Sequence, residues 1–272
     1  APRASRGMIF LKLGGSLITD KTGVEQVRPD VLARLAQEIQ QARAARPALP
    51  LLVSHGSGSF GHVAAARHGT RGGVHTTEEW HGFAEVSAAA ARLNSLVTAA
   101  LLDAGVPAVC LQPSASAVCR DGQIVQLAHA PVVHALRAGL VPVVYGDVAF
   151  DAVRGGTIIS TEEILAFLAG VLPERPSWLL LAGETAGVYD AQRQVIPAIH
   201  EGNFAAVAAA LGGSRGTDVT GGMASKVRQM LALTAAQPGL AIRIFSGLQA
   251  GTLHRLLLDP AAPVGTRIAA TA

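Results

Sequence analysis

Lysine is rare in this chain, and each lysine lies beside a loop rich in glycine or in threonine and aspartate. Only three of the 22 basic residues are lysines, namely Lys12, Lys21 and Lys226, so arginine supplies nearly all of the positive charge. A lysine ammonium is a compact charge on a flexible stem that can follow a migrating phosphoryl group, whereas the arginine guanidinium is a rigid planar fork. We therefore interpret the three lysines as a functional set that acts on phosphate.

The segment that ends at His62 has the pattern of a phosphate-binding turn. An apolar run that begins at Leu51 is typical of a buried parallel strand, and it leads into His-Gly-Ser-Gly-Ser-Phe-Gly-His. Glycine has no Cβ, so a phosphate can approach the backbone, and N–H groups at the start of a following helix bind anions. An ordinary strand-to-helix turn is the alternative. We favour the phosphate site because glycines, serines and histidines make up nearly all of this turn.

A second candidate cradle follows the first predicted strand, which covers residues 8–13. The strand carries Lys12 and ends at Gly14, Gly15 and Ser16. This turn matches neither the Walker A pattern nor the Rossmann dinucleotide fingerprint. A lysine that points at a Gly-Gly-Ser turn is still a candidate phosphate cradle.

Four glycine-bearing loops follow predicted strands or precede predicted helices, at Gly14, Gly56, Gly146 and Gly221. In an open parallel sheet, the loops at the carboxyl ends of the strands gather at one edge, where ligands bind. Two such loops suffice for one nucleotide. Four of them, with three lysines and His62 among them, predict two phosphate-bearing ligands that face each other, which is the arrangement for phosphoryl transfer.

Strands alternate with helices along the chain, which predicts an α/β fold with a mostly parallel central sheet covered on both faces. The predicted strands lie near residues 8–13, 51–53, 106–111, 141–145, 178–181 and 241–245, with hairpins near 118–125 and 148–159. The predicted helices lie near residues 29–45, 76–103, 132–137, 161–168, 203–211, 224–235 and 253–257. We expect a capping box at Thr76 and Glu79, a helix cap formed by residues 161–163, and Glu38 on the outward face of its helix.

Length and composition limit the class of protein. A chain of 272 residues is long enough for one large domain or two small lobes. No apolar run reaches the roughly 18 residues of a membrane-spanning helix, and we interpret residues 1–7 as a flexible leader or a cloning remnant. The net charge of +3 is modest and no basic cluster is present, which argues against nucleic-acid binding. We expect a cytoplasmic protein with a small-molecule substrate and neither a nucleic-acid nor a membrane partner.

Metal and redox chemistry have little support in the sequence. Cys110 and Cys119 lack the Cys-x-x-Cys spacing of a zinc or redox site, and we expect buried structural thiols, with a disulfide left open. Five of the nine histidines fall between His55 and His81, but their spacing suits no single helical face and no ligand pattern. We expect no protein metal site, and we interpret His55 as the strand-end residue that orients the loop.

Several of these segments resemble the amino acid kinase superfamily. The motifs are Lys-Leu-Gly-Gly-Ser at 12–16, Tyr-Gly-Asp at 145–147 and Asp-Val-Thr-Gly-Gly-Met at 218–223, followed by Lys226. Within the superfamily, residues 17–21 and 55–62 are similar to the isopentenyl phosphate kinases. The resemblance extends over about residues 8–257, and residues 55–62 are its most specific part.

The resemblance implies a homodimer whose subunit is an αβα sandwich with a mostly parallel central sheet. It implies that ATP, with Mg²⁺, phosphorylates isopentenyl phosphate to isopentenyl diphosphate in isoprenoid biosynthesis, by the alternative mevalonate route. The acceptor oxygen would attack the γ-phosphorus in line, without a covalent enzyme intermediate. Residues 8–272 would form one domain, with an acceptor-binding lobe to about residue 170 and a nucleotide-binding lobe from about residue 171.

The resemblance also assigns site residues through the motifs that they match. The implied catalytic residues are Lys12, Lys21, His62 and Lys226, with Lys21 steadying the transition state. The implied ATP-binding residues are Lys12, Gly14, Gly15, Ser16, Ser57, Glu184, Gly221 and Lys226. The implied acceptor-binding residues are Gly56, Gly61, His62 and Gly156, and no protein ligand to a metal is implied.

Two segments depart from the family pattern. The family usually has Ser-Gly-Asp where this chain has Ser160-Thr161-Glu162, toward the acceptor. It usually has Thr-Asp-Val-Asp-Gly-Val-Tyr where this chain has Gly-Glu-Thr-Ala-Gly-Val-Tyr from Gly183, toward the nucleotide.

Two other functions remain as alternatives. One is a sister kinase that acts on a phosphonate such as fosfomycin, or on another small phosphomonoester. The other is a non-catalytic nucleotide-binding regulator. The three retained lysines argue against the regulator, because binding alone tolerates arginine.

Overall fold

The computed structural model describes residues 7–20, 22–61, 69–212 and 222–271. The strands are β1 Met8–Leu13, β2 Leu51–His55, β3 Ala108–Cys110, β4 Val118–Arg120, β5 Gln123–Gln126, β6 Val141–Tyr145, β7 Asp147–Asp151, β8 Gly155–Ile159, β9 Pro176–Gly183, β10 Ala198–Ile199, β11 Ala241–Ser246 and β12 Thr266–Ile268. The helices are α1 Gly15–Ile18, α2 Pro29–Ala45, α3 Thr77–Asp103, α4 Ala130–Arg137, α5 Thr161–Val171, α6 Glu201–Gly212, α7 Gly222–Ala236 and α8 Thr252–Leu258. No helix in these ranges is long and apolar enough to cross a bilayer.

The main sheet has the strand order β10-β12-β11-β9-β1-β2-β6-β3, and a smaller sheet has the order β5-β4-β7-β8. In the described part of the main sheet, every pairing is parallel except that of β11 with β12. The predicted mostly parallel sheet is therefore confirmed. The smaller sheet contains the two predicted hairpins, β4–β5 and β7–β8.

Side chains alternate across β1, and helices cover both of its faces. Ile9 and Leu11 belong to the core cluster that includes α2, α3 and α8, whereas Met8 and Phe10 belong to the cluster that includes α5 and α7. The predicted αβα sandwich is therefore confirmed. Because strand residues alternate with a period of two, Lys12 lies on the same face as Met8 and Phe10, which α5 covers.

Two capping boxes fix the starts of α3 and α5. The box at Thr76 and Glu79 is present as predicted. For α5 the prediction is wrong by one residue, because the cap is Ser160, whose side chain accepts the Glu163 N–H at 3.2 Å. Only a residue just outside the helix, with extended backbone, can turn its side chain back onto that N–H group. Residues 161–163 therefore form the first turn of α5.

Two predictions about exposure are wrong. Glu38, expected on the outward face of α2, is 4 % exposed, because the N–H groups of Gly251 and His254 at the start of α8 donate to its carboxylate. Cys110, expected to be buried, is exposed because β3 is an edge strand. Cys119 is buried as expected, and both cysteines are free.

Candidate active site

The carboxyl ends of β1, β2 and β9 lie side by side. Lys12 pairs with Ser54 of β2 and with Leu181 of β9, so the three strands end at the same level. The Gly14 N–H donates to Ala182 O at 2.8 Å, which joins the turn after β1 to the end of β9. The loops that follow these strands therefore meet at one edge of the sheet.

The loops after β1 and β2 touch along their backbones. A Cβ added to Gly15 would lie 2.3 Å from Gly58 N, and one added to Gly56 would lie 2.9 Å from Gly15 N. Gly58 also has a φ of +50°, which residues other than glycine rarely adopt. At Gly61 an added Cβ would lie 2.4 Å from Ser57 Cβ. The close packing of the loops therefore requires glycine, and it brings the backbone N–H groups of both loops into one space.

Some of these N–H groups are free to bind a ligand. Those of Gly15, Ser16 and Ser57 donate to no acceptor within the described ranges. Thr19 Oγ1 joins the two loops, since it donates to Gly15 O at 2.7 Å and accepts the Ser59 N–H at 2.9 Å. Because the loops are held in this way, the free N–H groups are preorganised donors for phosphate oxygens.

Lys12 contacts a carboxylate at the start of α5. Its side chain is 15 % exposed, and its Nζ donates to Glu162 Oε1, on a side chain that is 44 % exposed. Burial opposes ionisation of the Glu162 carboxyl, but the Lys12 ammonium outweighs that effect and holds the pKa below its usual value. The pair is therefore charged, and both side chains are open to the edge where the loops meet.

Lys226 acts on the same carboxylate. It lies exposed in α7, and its charge also contributes to the lowered pKa of Glu162. Glu162 is thus affected by the charges of two of the three lysines, and Lys12 is the one that contacts it. The sequence interpretation missed Glu162 because it treated that segment only as a departure from the family pattern. The available signal was only local, an acidic residue in the first turn of a predicted helix that follows a predicted strand.

One hydroxyl ties the first turn of α5 to two of the loops. Thr161 Oγ1 donates to His55 O at 2.7 Å and accepts the Gly146 N–H at 3.0 Å. The His55 ring is buried and stacks on Tyr145, with 5.4 Å between the ring centroids. Burial is the main cause that lowers the His55 pKa to about 4, so the ring is neutral near pH 7. His55 therefore has the position expected of a residue that orients the loop.

The structure does not bring every predicted site residue to this edge. Glu184 does lie at this edge, because it directly follows β9, but its carboxylate is paired with Arg28 Nη1 at 3.0 Å. Gly156 lies in β8, where an added Cβ would lie 2.9 Å from the Phe83 ring and 3.0 Å from Val74. Gly156 is therefore part of an apolar cluster in the smaller sheet. Three other predicted site residues lie outside the described residues, namely Lys21, His62 and Gly221.

The α/β fold and the two glycine loops beside Lys12 are typical of proteins that bind phosphate groups, and the comparison with known families identifies the class. The sequence model of the Amino acid kinase family matches residues 7–246. The chain therefore belongs to the amino acid kinase family.

The chain is also similar to proteins of known activity over nearly its whole length. It is 35 % identical to the isopentenyl phosphate kinase of Methanothermobacter thermautotrophicus over an alignment of 275 positions, which covers 96 % of this chain and 98 % of that protein. It is 42 % identical to the isopentenyl phosphate kinase of Haloferax volcanii over 232 residues, which cover 84 % and 89 %. A solved isopentenyl phosphate kinase structure superimposes with a TM-score of 0.78 at 32 % identity, covering 96 % of this chain and 99 % of that one.

Proposed function

We propose that this chain transfers the γ-phosphate of ATP to isopentenyl phosphate and releases isopentenyl diphosphate and ADP. The observation that carries the proposal is the backbone contact between two glycine loops, with Lys12 close to both. A nucleotide phosphate and an acceptor phosphate bound on these loops would lie next to each other, as direct transfer requires. The relatives named isopentenyl phosphate kinases support this acceptor over the alternatives.

On the nucleotide side, the turn after β1 would hold the ATP phosphates. Gly14, Gly15 and Ser16 would do so through backbone N–H groups, with Ser57 and Gly221 adding further donors. Lys226 and Glu184 would contact the nucleotide from the carboxyl-terminal lobe, residues 171–272. Arg28 occupies Oε1 of Glu184, so the second carboxylate oxygen would be the one that binds the nucleotide.

On the acceptor side, the loop after β2 would hold the phosphate of the acceptor through Gly56, Gly61 and His62. Gly156 would border the apolar part of that molecule, since its neighbours Val74 and Phe83 are apolar. A nonbridging acceptor oxygen attacks the γ-phosphorus, the bond from that phosphorus to the β,γ-bridging oxygen breaks, and ADP leaves with the electron pair.

The lysines would stabilise the charge that builds up as two phosphates approach. Lys12 lies at the junction of the loops and can exchange the Glu162 carboxylate for a phosphoryl oxygen. Lys21 would steady the transition state, and Lys226 would neutralise the ATP phosphates. Fixed positive groups aimed at the position where charge develops commonly contribute on the order of 10²–10³ in rate.

Magnesium would reach the site already bound to ATP. No cluster of three or more His, Cys, Asp or Glu side chains among the described residues is suited to hold a metal. Mg²⁺ commonly binds through substrate phosphates, retaining several waters. When bound, it would screen the phosphate charges, and the residues assigned above would orient the nucleotide that carries it.

We also propose the two-lobe division near residue 170, a homodimer and a cytoplasmic location. The small-molecule chemistry of the site supports a cytoplasmic kinase without a membrane or nucleic-acid partner. Sedimentation velocity on the purified chain tests the dimer. A single species at the mass of one chain would contradict it.

The activity is tested by measuring ADP release with MgATP and isopentenyl phosphate, fosfomycin or no acceptor, with ³¹P NMR of the products. We expect ADP and a diphosphate signal with isopentenyl phosphate, and negligible ADP release in the other two reactions. A Lys12→Met preparation purified in parallel controls for contaminating kinases. Preferential turnover of fosfomycin would favour the sister kinase, and nucleotide binding without any turnover would favour the regulator.

A further inference from the structure

We propose that Asn94 is a positioning residue for the phosphate-binding loop after β2, which it holds through the ring of His55. The proposal rests on the proposed function in one respect, because it assigns this loop to the acceptor phosphate. Among the described residues, the hydrogen bonds of the Asn94 amide go to His55 and Cys110, and not to the loop or to Lys12. It acts through the imidazole that connects α3 to Gly56.

Asn94 is a buried polar residue in an apolar part of α3. It is 3 % exposed, and the buried residues around it on the helix include Ala90, Leu93 and Val97. A buried amide is costly unless it forms hydrogen bonds. Here the amide lies between two partners, with Oδ1 at 3.2 Å from His55 Nε2 and Nδ2 at 2.8 Å from the Sγ of Cys110.

The His55 ring connects this amide to the loop. Its Nδ1 lies 3.1 Å from Gly56 O, and one face of the ring stacks on Tyr145 with an interplanar angle of 7°. The backbone carbonyl of His55 is also held, by the hydroxyl of Thr161. The peptide that begins the loop is therefore fixed by groups from α3, β6 and α5.

The count of protons sets the direction of these hydrogen bonds. His55 is buried beside Lys12, and its pKa of about 4 leaves the ring neutral near pH 7, with one N–H. Gly56 O can only accept, so the proton belongs on Nδ1, and Nε2 must then accept. Rotating the Asn94 amide by 180° exchanges Oδ1 and Nδ2 and fills the same space. In that orientation a donor faces His55 Nε2, as its acceptor role requires. The amide donates from Nδ2 to His55 and accepts the Cys110 S–H at Oδ1.

The result is a directed relay from Cys110 through Asn94 and His55 to the Gly56 carbonyl. Gly56 is one of the two residues, with Gly58, at which the loop after β2 packs against Gly15. Without the Asn94 donor the His55 ring is no longer held in place. The loop after β2 then shifts relative to the turn after β1, which we assign to the ATP phosphates. We expect the effect to fall mainly on the acceptor, because Ser57 is the one residue of this loop that we also assign to ATP.

The relay is tested without any activity by ¹⁵N NMR of the histidine side chains near pH 7, with His55 assigned by comparison with a His55→Gln variant. We expect a protonated Nδ1 and an unprotonated Nε2. A proton on Nε2 alone, or on both nitrogens, would overturn the proposal. Asn94→Asp cannot donate to Nε2, so in that variant we expect the ring to take up a second proton.

The kinetic test compares Asn94→Leu with Val97→Ala, a control that removes buried volume from the same helix without touching His55. We expect Asn94→Leu to lower kcat/KM for isopentenyl phosphate about tenfold, with the ATP KM within about twofold of wild type, and Val97→Ala to leave both unchanged. Equal kinetic effects of the two variants would reduce Asn94 to a packing role. If the wild-type chain fails to use isopentenyl phosphate, the proposed function fails, while the NMR result still decides the relay.

Discussion

Glu38 lies in α2 and Glu162 in the first turn of α5, and each carboxylate contacts a basic side chain. Glu38 is 4 % exposed and accepts hydrogen bonds from Arg34 Nη1 at 2.5 Å and from two backbone N–H groups at the start of α8, each at 3.1 Å. Glu162 is 44 % exposed and contacts the ammonium of Lys12. One carboxylate is held in part by backbone groups, whose positions are fixed, and the other contacts a side chain that can move.

The difference separates a structural ion pair from an exchangeable one. Backbone donors keep Glu38 in place whether or not a ligand is bound, so its role is to join α8 to α2. A lysine ammonium on a flexible stem can leave a half-exposed carboxylate when a phosphate arrives. In our interpretation Glu162 holds Lys12 ready in the free protein and releases it to the substrate.

The largest effect is expected from Lys12→Met, which removes the charge and keeps the length of the side chain. Turnover should fall by a factor on the order of 10³, because a preorganised positive group is lost. Steady-state kinetics and thermal melting on the same samples measure it. Arg34→Met is the matched control in the other ion pair, and it should lower the melting temperature and leave turnover unchanged. Equal turnover in the two variants would contradict the distinction between the pairs.

A smaller effect is expected from Glu162→Gln. Without the carboxylate, Lys12 loses its charged partner, and we expect kcat to fall by about 10- to 30-fold, in keeping with one charged hydrogen bond to a mobile group. The melting temperature should change little, because half-exposed ion pairs add little stability. Glu162→Asp, which keeps the charge, should retain more activity than Glu162→Gln. A greater loss in Glu162→Asp than in Glu162→Gln would show that length and not charge matters.

Glu38→Gln should reverse this pattern. A neutral amide leaves Arg34 without its charged partner and weakens the bonds to α8, so we expect the free energy of unfolding to fall by about 2 kcal/mol. Urea unfolding measures this loss, and kcat should stay within about twofold of wild type. A large loss of turnover in a variant that still melts near wild type would mean that Glu38 contributes to the site.

Local signals in the sequence predicted most of the fold. The capping box at Thr76 and Glu79 marks the start of α3, and the turn at Asp121 and Gly122, where φ is 49° and 78°, marks the β4–β5 hairpin. Both signals depend on residues close together in the chain. The edge at which the glycine loops meet also follows from strand order in a parallel sheet.

Long-range partners could not be predicted in the same way. Glu38 bonds to the start of α8, 213 residues along the chain, and Glu162 contacts a lysine 150 residues before it. Asn94 meets a histidine 39 residues earlier. The helical period gives the direction of each side chain only approximately. Whether a polar residue on the flank of a helix is buried depends on the element that packs against it.

Asp151 extends the comparison to a carboxylate bound by four backbone N–H groups. It is buried at the end of β7, and it accepts bonds of 2.6 to 3.0 Å from residues 121, 122, 153 and 154. Burial opposes ionisation of Asp151, but the four bonds together lower its pKa to about 2. The charged form is therefore the one that stabilises the hairpin, with no basic side chain needed to hold it.

The smallest effect is expected from Asp151→Asn. The folded-state pKa of about 2 lies below the unfolded value of about 3.9, so ionised Asp151 stabilises the fold above about pH 4 and loses this effect as the pH falls through about 2. Urea unfolding at pH 7 should show a loss of about 1–2 kcal/mol in the variant. At pH 3 the difference from wild type should be about half as large, because the carboxyl of the unfolded chain is mostly protonated there while that of the folded protein is still mostly ionised. An equal difference at both pH values would mean that the bonds and not the charge hold the turn.

Turnover of Asp151→Asn at pH 7 should match wild type, because the carboxylate belongs to the smaller sheet and touches neither glycine loop.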